Sequence, residues 1–260
     1  MLVNGRRILL TGGCGAIGLV AARALTDAGA VVVVNDILQP EEARARLDDE
    51  RIHYVQADGS DESGAAHMLA AACAVAGPLT DVILLAGIVR TGGLLEQSAE
   101  NFDAMFRVNV LAAALTAQAA VRGWRDTASV GNLVFVSSWV QDVPWPGIAP
   151  YSASKAALRS LARSFAREFA LDGIRANVLA PGIVGAGMAR KQWDEEPDYQ
   201  LRARRAVPLG QLQDPRSVAD ALVFLCSPMS SYMTGSTLVV DGGASLYPLD
   251  PEELSHDDGS

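Results

Sequence analysis

Tyr151 and Lys155 stand four residues apart in Tyr151-Ser152-Ala153-Ser154-Lys155. That spacing puts both side chains on one face of a helix. A free phenol titrates near about pH 10. An ammonium beside it favours the phenolate, so Tyr151 can take a proton from an alcohol or return one to a ketone. By itself the pair reads sooner as two exposed residues of a helix, and other residues must decide.

A second constellation lies near the start. Thr11-Gly12-Gly13-Cys14-Gly15-Ala16-Ile17-Gly18 closes an apolar run and opens a helical one. Glycines at 13, 15 and 18 fit the spacing of a dinucleotide fingerprint: one frees a tight turn, one lets backbone approach a pyrophosphate, and Gly18 lets helix and strand pack closely. The helix N-terminus offers N–H donors and partial positive charge to an anion. The alternative is a plain strand–helix turn. Asp36 follows Gly18 by 18 residues, at the end of the next Val-rich run. An acidic side chain there accepts from the adenosine ribose hydroxyls and repels a 2′-phosphate. Two unit charges about 4 Å apart at an effective dielectric of about 20 interact by roughly 4 kcal/mol. No Lys or Arg occurs from Asp36 to Glu42, so NAD is expected over NADP.

The elements that must hold these groups alternate. Apolar strand-like runs cover 7–11, 30–35, 52–57, 81–86, 132–137, 175–179 and 237–240. Helical patterns cover 16–28, a charged stretch at Glu41 to Arg46, 62–76, 101–122 and 151–171. Strands joined by crossover helices predict an α/β Rossmann fold: one domain over residues 1–250, with a doubly wound, seven-stranded parallel sheet and helices on both faces. Residues 251–260 are acidic and polar and read as a loose tail.

The bulk properties narrow the field. The chain has 260 residues, half of them hydrophobic, and a net charge of −9. An acidic surface repels phosphate backbones, which argues against nucleic acid. Arg202, Arg204 and Arg205 read as a solvated helix face. No apolar run approaches the roughly 18 residues that cross a membrane, and no signal-peptide pattern opens the chain, so a cytoplasmic protein is expected. Cys14, Cys73 and Cys226 are too few and too scattered for a disulfide framework or a zinc site. Cys14, in the glycine loop, is expected to be exposed enough for its oxidation to affect the loop. The three histidines show no ligand spacing, and no metal is expected.

Taken together, these motifs resemble the classical short-chain dehydrogenase/reductase family. The resemblance runs from Gly5 to about Tyr247 through the glycine loop, Asp36, Ala86-Gly87, Asn109, Ser137-Ser138, Tyr151, Lys155, Asn177 to Gly182, and Tyr232 to Gly243. It implies that Tyr151 is the proton donor and acceptor and that Ser138 binds the substrate oxygen. Lys155 would bind the nicotinamide ribose and lower the Tyr151 pKa, and Asn109 would help hold a water linking Lys155 to solvent. It further implies cofactor contacts from Gly12, Cys14, Gly15, Ala16, Ile17 and Gly18. Others would come from Asp58 and Gly59 at the adenine, Ala86 and Gly87, Pro181 and Gly182 beneath the nicotinamide, and the backbone of Ile183 and Val184. A homotetramer is implied, with the helices at Asn101 and Tyr151 in one interface and residues such as Leu238 and Leu246 in another.

Three departures stand out. Ala16 replaces a usual glycine, so that Gly12, Gly15 and Gly18 look closer to the family's extended branch of epimerases and dehydratases, whereas the C-terminal half looks classical. Leu84-Leu85 replaces a pair of asparagines and loses their hydrogen bonds. Ala186 replaces a threonine that bonds the carboxamide.

The substrate is expected to be a small secondary alcohol or ketone, with a leaning to sugars, polyols or cyclic alcohols. Ser138, Trp139, Gln141, Trp145, Ile148 and Tyr151 would line its pocket, with Met188 and Trp193 on a covering segment. Ile88 and Arg90 are further candidates, and tryptophan faces suit sugar or ring surfaces. The alternatives are an epimerase or dehydratase recycling bound NAD, and a non-catalytic nucleotide sensor, for which an intact Ser138, Tyr151 and Lys155 would be unnecessary.

Overall fold

A computed structural model of the chain describes residues 1–246, and within them the side chains of Met188 and Asp198 are left undescribed. The acidic tail expected at 251–260 lies outside the described residues. Seven strands form one parallel sheet: β1 Arg7–Thr11, β2 Val31–Asp36, β3 His53–Gln56, β4 Asp81–Leu84, β5 Gly131–Val136, β6 Ile174–Pro181 and β7 Thr237–Val240. Their spatial order is β3-β2-β1-β4-β5-β6-β7. The order reverses between β1 and β4, which opens a crevice at the carboxyl ends of the strands.

The strands are runs of Val, Ile and Leu because both faces of the sheet are covered. Val32, Val33 and Val34 of β2, and Leu133, Val134 and Phe135 of β5, have no accessible surface. On one face lie α1 Ala16–Asp27, α2 Pro40–Leu47 and, in chain order the ninth helix, α9 Pro215–Cys226. On the other lie α3 Glu62–Ala76, α5 Ala112–Asp126 and α6 Ala149–Phe169, with α4 Ala99–Phe106 packed on α6. Two helices, α7 Gly187–Glu195 and α8 Pro197–Ala206, stand over the carboxyl edge between β6 and α9.

The expected strands and first helices match within a few residues, but two readings need correction. The segment between β6 and β7 is three helices rather than a simple covering stretch. In α9, Asp214 caps by accepting from the Arg216 N–H, Pro215 occupies the first turn, and Val218, Leu222 and Leu225 bury one side against α1. Secondly, the run Ala99–Asp126 is long and apolar enough by length and composition to cross a membrane. It packs instead as a core element: Ala113, Ala117, Ala120 and Trp124 turn onto the sheet, and Trp124 Nε1 donates to the Leu79 carbonyl at 2.8 Å. A π turn at Arg107–Leu111 joins α4 to α5 and carries Asn109.

Candidate active site

The glycine loop leaves β1 at Thr11 and enters α1 at Ala16. Its tight turn is made by Gly12, with φ +67°, rather than by Gly13; a Cβ on Gly12 would stand 2.7 Å from the Ala86 Cα. Gly13 is packed against Val34 beneath the loop. A Cβ on Gly18 would stand 2.5 Å from the Gly13 Cα, so helix and loop touch backbone to backbone there. The Gly15 position is open, its nearest neighbour being the Gly12 carbonyl at 3.4 Å.

The loop borders a cleft of about 610 Å³ lined by Gly12, Gly15, Ala16, Ile17, Gly18, Asp36, Asp58, Gly59, Ala86 and Gly87, all expected from the sequence. Cys14 departs from expectation. It is 2 % exposed and does not line the cleft; burial and the nearby Asp36 carboxylate push its thiol up to about 11. Its main-chain N–H matters instead, donating to Asp36 Oδ2 at 3.2 Å, while the Ile37 N–H donates to Oδ1 at 2.8 Å. These bonds fix the Asp36 carboxylate at the cleft wall.

The absence of the two asparagines at 84 and 85 is made good by Thr11. Its Oγ1 accepts the N–H groups of Leu85 (3.1 Å) and Ala86 (3.2 Å) and donates to the Ile83 carbonyl. The chain after β4 is therefore tied to β1 by a hydroxyl, and Leu84 is free to be a core residue.

The catalytic candidates converge at the end of β5. The Ser137 hydroxyl donates to the Lys155 carbonyl at 2.9 Å, which anchors α6 against the strand end. Ser138, extended and 8 % exposed, caps the short turn Trp139–Gln141. Lys155 is buried and donates from Nζ to the Val136 carbonyl at 2.9 Å, leaving two N–H groups for other acceptors. Desolvation lowers Lys155 to about 8. The Tyr151 phenol goes the other way: burial pushes it up to about 12, opposed by a hydrogen bond with Ser138. In the protein alone, then, Lys155 does not hold Tyr151 below its ordinary value.

Asn109 is a buckle. Its Oδ1 accepts the Ile88 N–H at 2.8 Å, and its Nδ2 donates to the Ile88 carbonyl at 3.0 Å and to Ser154 Oγ at 2.9 Å. Both amide hydrogens are used, so a water at Asn109 must be held by the remaining Oδ1 lone pair or the main-chain carbonyl. A Cβ on Gly87 would come within 3.4 Å of Lys155 Nζ and 3.2 Å of Asn109 Oδ1. The cleft floor therefore lies directly over these two groups.

A second cavity, of about 520 Å³, meets the cleft at Ile17, Val89 and Ala186, which line both. Ser138, Trp139, Trp145, Ile148, Tyr151, Gly182 and Val184 line it, as do Gln192, Tyr199 and Arg202. Gly182 presses on the chain just after β7, where a Cβ would lie 2.6 Å from the Asp241 Cα, and Pro181 lies buried at the end of β6 without lining either space. The carbonyls of Ile183 and Val184 are taken by the N–H groups of Gln213 and Ala186.

Several substrate expectations are corrected. Gln141 faces a different groove, beside Arg159 and Arg163, because its Nε2 is drawn to Asp142. Trp193 does not line the cavity; the Arg204 guanidinium lies 5.3 Å over its ring. Arg90 is turned to Asn101 and Ile88 lines the cofactor cleft. Met188 falls on an undescribed side chain. Tyr199 and Gln192 were missed because no helix was assigned to them, and Arg202 because it was read only as part of a solvated helix face; the i, i+3 spacing of Tyr199 and Arg202 was the available signal.

The whole arrangement is that of a dinucleotide cleft opening onto a pocket walled by Ser138 and Tyr151, with Lys155 buried behind Tyr151 and lining neither space. A family model described as enoyl-(acyl carrier protein) reductase matches residues 13–245. The chain belongs to the classical short-chain dehydrogenase/reductase family. Among similar proteins, 2,5-dichloro-2,5-cyclohexadiene-1,4-diol dehydrogenase of Sphingobium indicum is 32 % identical over 247 residues, 93 % of this chain and 97 % of that one. The 2,3-dihydro-2,3-dihydroxybenzoate dehydrogenase of Escherichia coli is 31 % identical over 94 % of this chain and 98 % of its own. A crystal structure of a gluconate 5-dehydrogenase from Burkholderia cenocepacia, in complex with NADP and tartrate, superposes with a TM-score of 0.86 at 30 % identity, covering 93 % of this chain and 96 % of that one. As in this family, the cleft is that of a nicotinamide cofactor, and the fold is that of a dehydrogenase acting on CH–OH groups.

Proposed function

We propose that this protein is an NAD-dependent dehydrogenase that interconverts a small secondary alcohol and its ketone, with Tyr151 as the acid/base. The observation that carries the reading is the placement of Ser138 and Tyr151 on the wall of a cavity that joins the cofactor cleft at Ile17, Val89 and Ala186. The residues of the cleft fit the cofactor: Gly12 and Gly18 close the loop backbone to backbone, and Gly15 leaves open space beside the helix N-terminus, where a pyrophosphate would be held. When bound, the nicotinamide supplies hydride acceptance and return.

The protein's own groups do the rest. Ser138 donates to the substrate oxygen and holds it near the phenol. Tyr151 exchanges a proton with that oxygen, and the two remaining N–H groups of Lys155 would bind the cofactor ribose. The preference for NAD rests on Asp36, whose carboxylate is fixed at the adenosine end without a neighbouring cation from Ile37 to Glu42. The dehydrogenases of cyclic diols named above support a cyclic or polyhydroxy alcohol as substrate.

A homotetramer goes with this reading. The edge strand β7 is half exposed, and Val239, Tyr232 and Leu246 nearby present apolar surface. An open edge of this kind needs cover. Light scattering at micromolar concentration should give four times the monomer mass.

The experiment for the activity is a screen of cyclic alcohols, polyols and hydroxy acids, followed by the absorbance of reduced nicotinamide, with Tyr151→Phe as control. Turnover with NAD that disappears in the variant is expected. Turnover that survives Tyr151→Phe unchanged would refute the assignment.

A further inference from the structure

The cavity beside Ser138 and Tyr151 is apolar over most of its wall, with Trp145, Val140 and Ile148 among its residues. Among the described residues one cation enters it. Arg202, on α8, lines the cavity together with Tyr199, one turn before it on the same helix face. The rest of the arginine cluster is placed otherwise: Arg204 is stacked on Trp193, and Arg205 does not line the cavity. All three arginines are exposed, as their spacing suggests, and Arg202 is the one of them that also borders the cavity.

Tyr199 is 7 % exposed; its burial and, to a smaller extent, the nearby Glu196 carboxylate raise the phenol above its ordinary value, while the positive charge of Arg202 works against that rise. The phenol is therefore a protonated donor beside a guanidinium. One planar fork of N–H groups and one O–H suit a carboxylate, whose two oxygens accept both. A phosphate ester would bring about two charges and a third oxygen, which this single cation does not match.

We propose that the substrate carries a carboxylate, which Arg202 and Tyr199 bind while the carbinol carbon faces Ser138 and Tyr151. The inference rests on the reading of this cavity as the substrate site. It makes Arg202 the selector between an acid and its neutral analogues.

The test separates binding from turnover. Three hydroxy acids of different shape (3-hydroxybutyrate, 3-hydroxycyclohexanecarboxylate and an aldonate) are titrated by calorimetry into the NADH-loaded protein, each against its neutral amide. At least one acid is expected to bind roughly tenfold or more tightly than its amide, because a site built to bond a polar group rejects the analogue lacking it. Arg202→Gln should erase that preference, and Tyr199→Phe should reduce it. Equal binding of acid and amide in all three pairs, or a preference that survives in Arg202→Gln, overturns the proposal. An intact preference with no turnover of any pair supports the carboxylate site and counts against the dehydrogenase reading alone.

Discussion

The Lys155 ammonium lies 5.5 Å from the centre of the Tyr151 ring and is held there by the Val136 carbonyl at 2.9 Å. Burial acts on the two groups in opposite senses, raising the phenol to about 12 and lowering the ammonium to about 8. The phenol is thus protonated across the neutral range before cofactor binds. Oxidation of an alcohol needs the phenolate and reduction of a ketone needs the phenol. The rate of oxidation should therefore climb with pH, and that of reduction should fall at high pH. Tyr151→Phe should lower kcat by about a hundred- to ten-thousandfold while calorimetry shows unchanged NADH affinity. A loss of NADH affinity equal to the loss of rate would assign the residue to cofactor binding instead.

Lys155 should cost the fold stability at neutral pH. Its folded pKa lies below its unfolded one, so below about pH 8 the folded protein carries a charge that burial disfavours. The cost is relieved as pH rises from about 8 towards 10.5, because the unfolded chain then binds more protons than the folded one. A tenfold change in proton affinity corresponds to about 1.4 kcal/mol, so the whole effect is on the order of 3 kcal/mol. The raised pKa of Tyr151 acts only above about pH 10, where stability falls as pH rises. Between about pH 8 and 10 the Tm of the wild type should rise relative to that of Lys155→Met, which should be inactive. Parallel Tm curves for the two proteins would exclude a buried charge at this position.

The sheet was legible because buried parallel strands are continuous apolar runs, and β2 reads Val31-Val32-Val33-Val34. Tyr151 and Lys155 were legible as a pair because a spacing of four puts them on one helix face, but their role, and Ser138 altogether, came only through the family resemblance. The substrate wall was not legible. Tyr199 and Arg202 reach the cavity only through the angle at which α8 crosses the sheet edge, and no local pattern in Pro197–Ala206 encodes that angle. Gln141 and Trp193 were misplaced for the same reason. Their neighbours in sequence line the cavity, but Asp142 and Arg204 draw these two away. Thr11 takes the place of two asparagines only because β1 pairs with β4 and sets it opposite Leu84, a contact between residues far apart in the chain.

Asp36 should govern the choice of cofactor. Its Oδ2 takes the Cys14 N–H and its Oδ1 the Ile37 N–H, so the charge stays fixed where a 2′-phosphate would arrive. Asp36→Asn keeps an acceptor for the loop and removes the charge. The ratio of kcat/KM for NAD over NADP should drop by about tenfold or more, within the roughly 4 kcal/mol of the unscreened repulsion. The change should come mainly through a lower KM for NADP. An unchanged ratio would move the selectivity to another residue of the cleft.

Gly18 and Gly15 should respond differently to the same methyl group. A Cβ at Gly18 would stand 2.5 Å from the Gly13 Cα and 2.6 Å from the Gly12 carbonyl oxygen, and neither backbone atom can yield as a side chain can. Gly18→Ala should therefore force the loop away from α1, lowering stability by about 1–3 kcal/mol and weakening NADH binding with it. At Gly15 the nearest atom is 3.4 Å away and the position faces the cleft. Gly15→Ala should leave the Tm of the cofactor-free protein close to the wild type and reduce only NADH affinity, because the methyl group intrudes on the space of the pyrophosphate. Thermal unfolding without cofactor, paired with calorimetric titration of NADH, reads the two effects separately. Equal loss of Tm in both variants would mean that the loop is braced at Gly15 as well, and that its open side is not the cofactor's side.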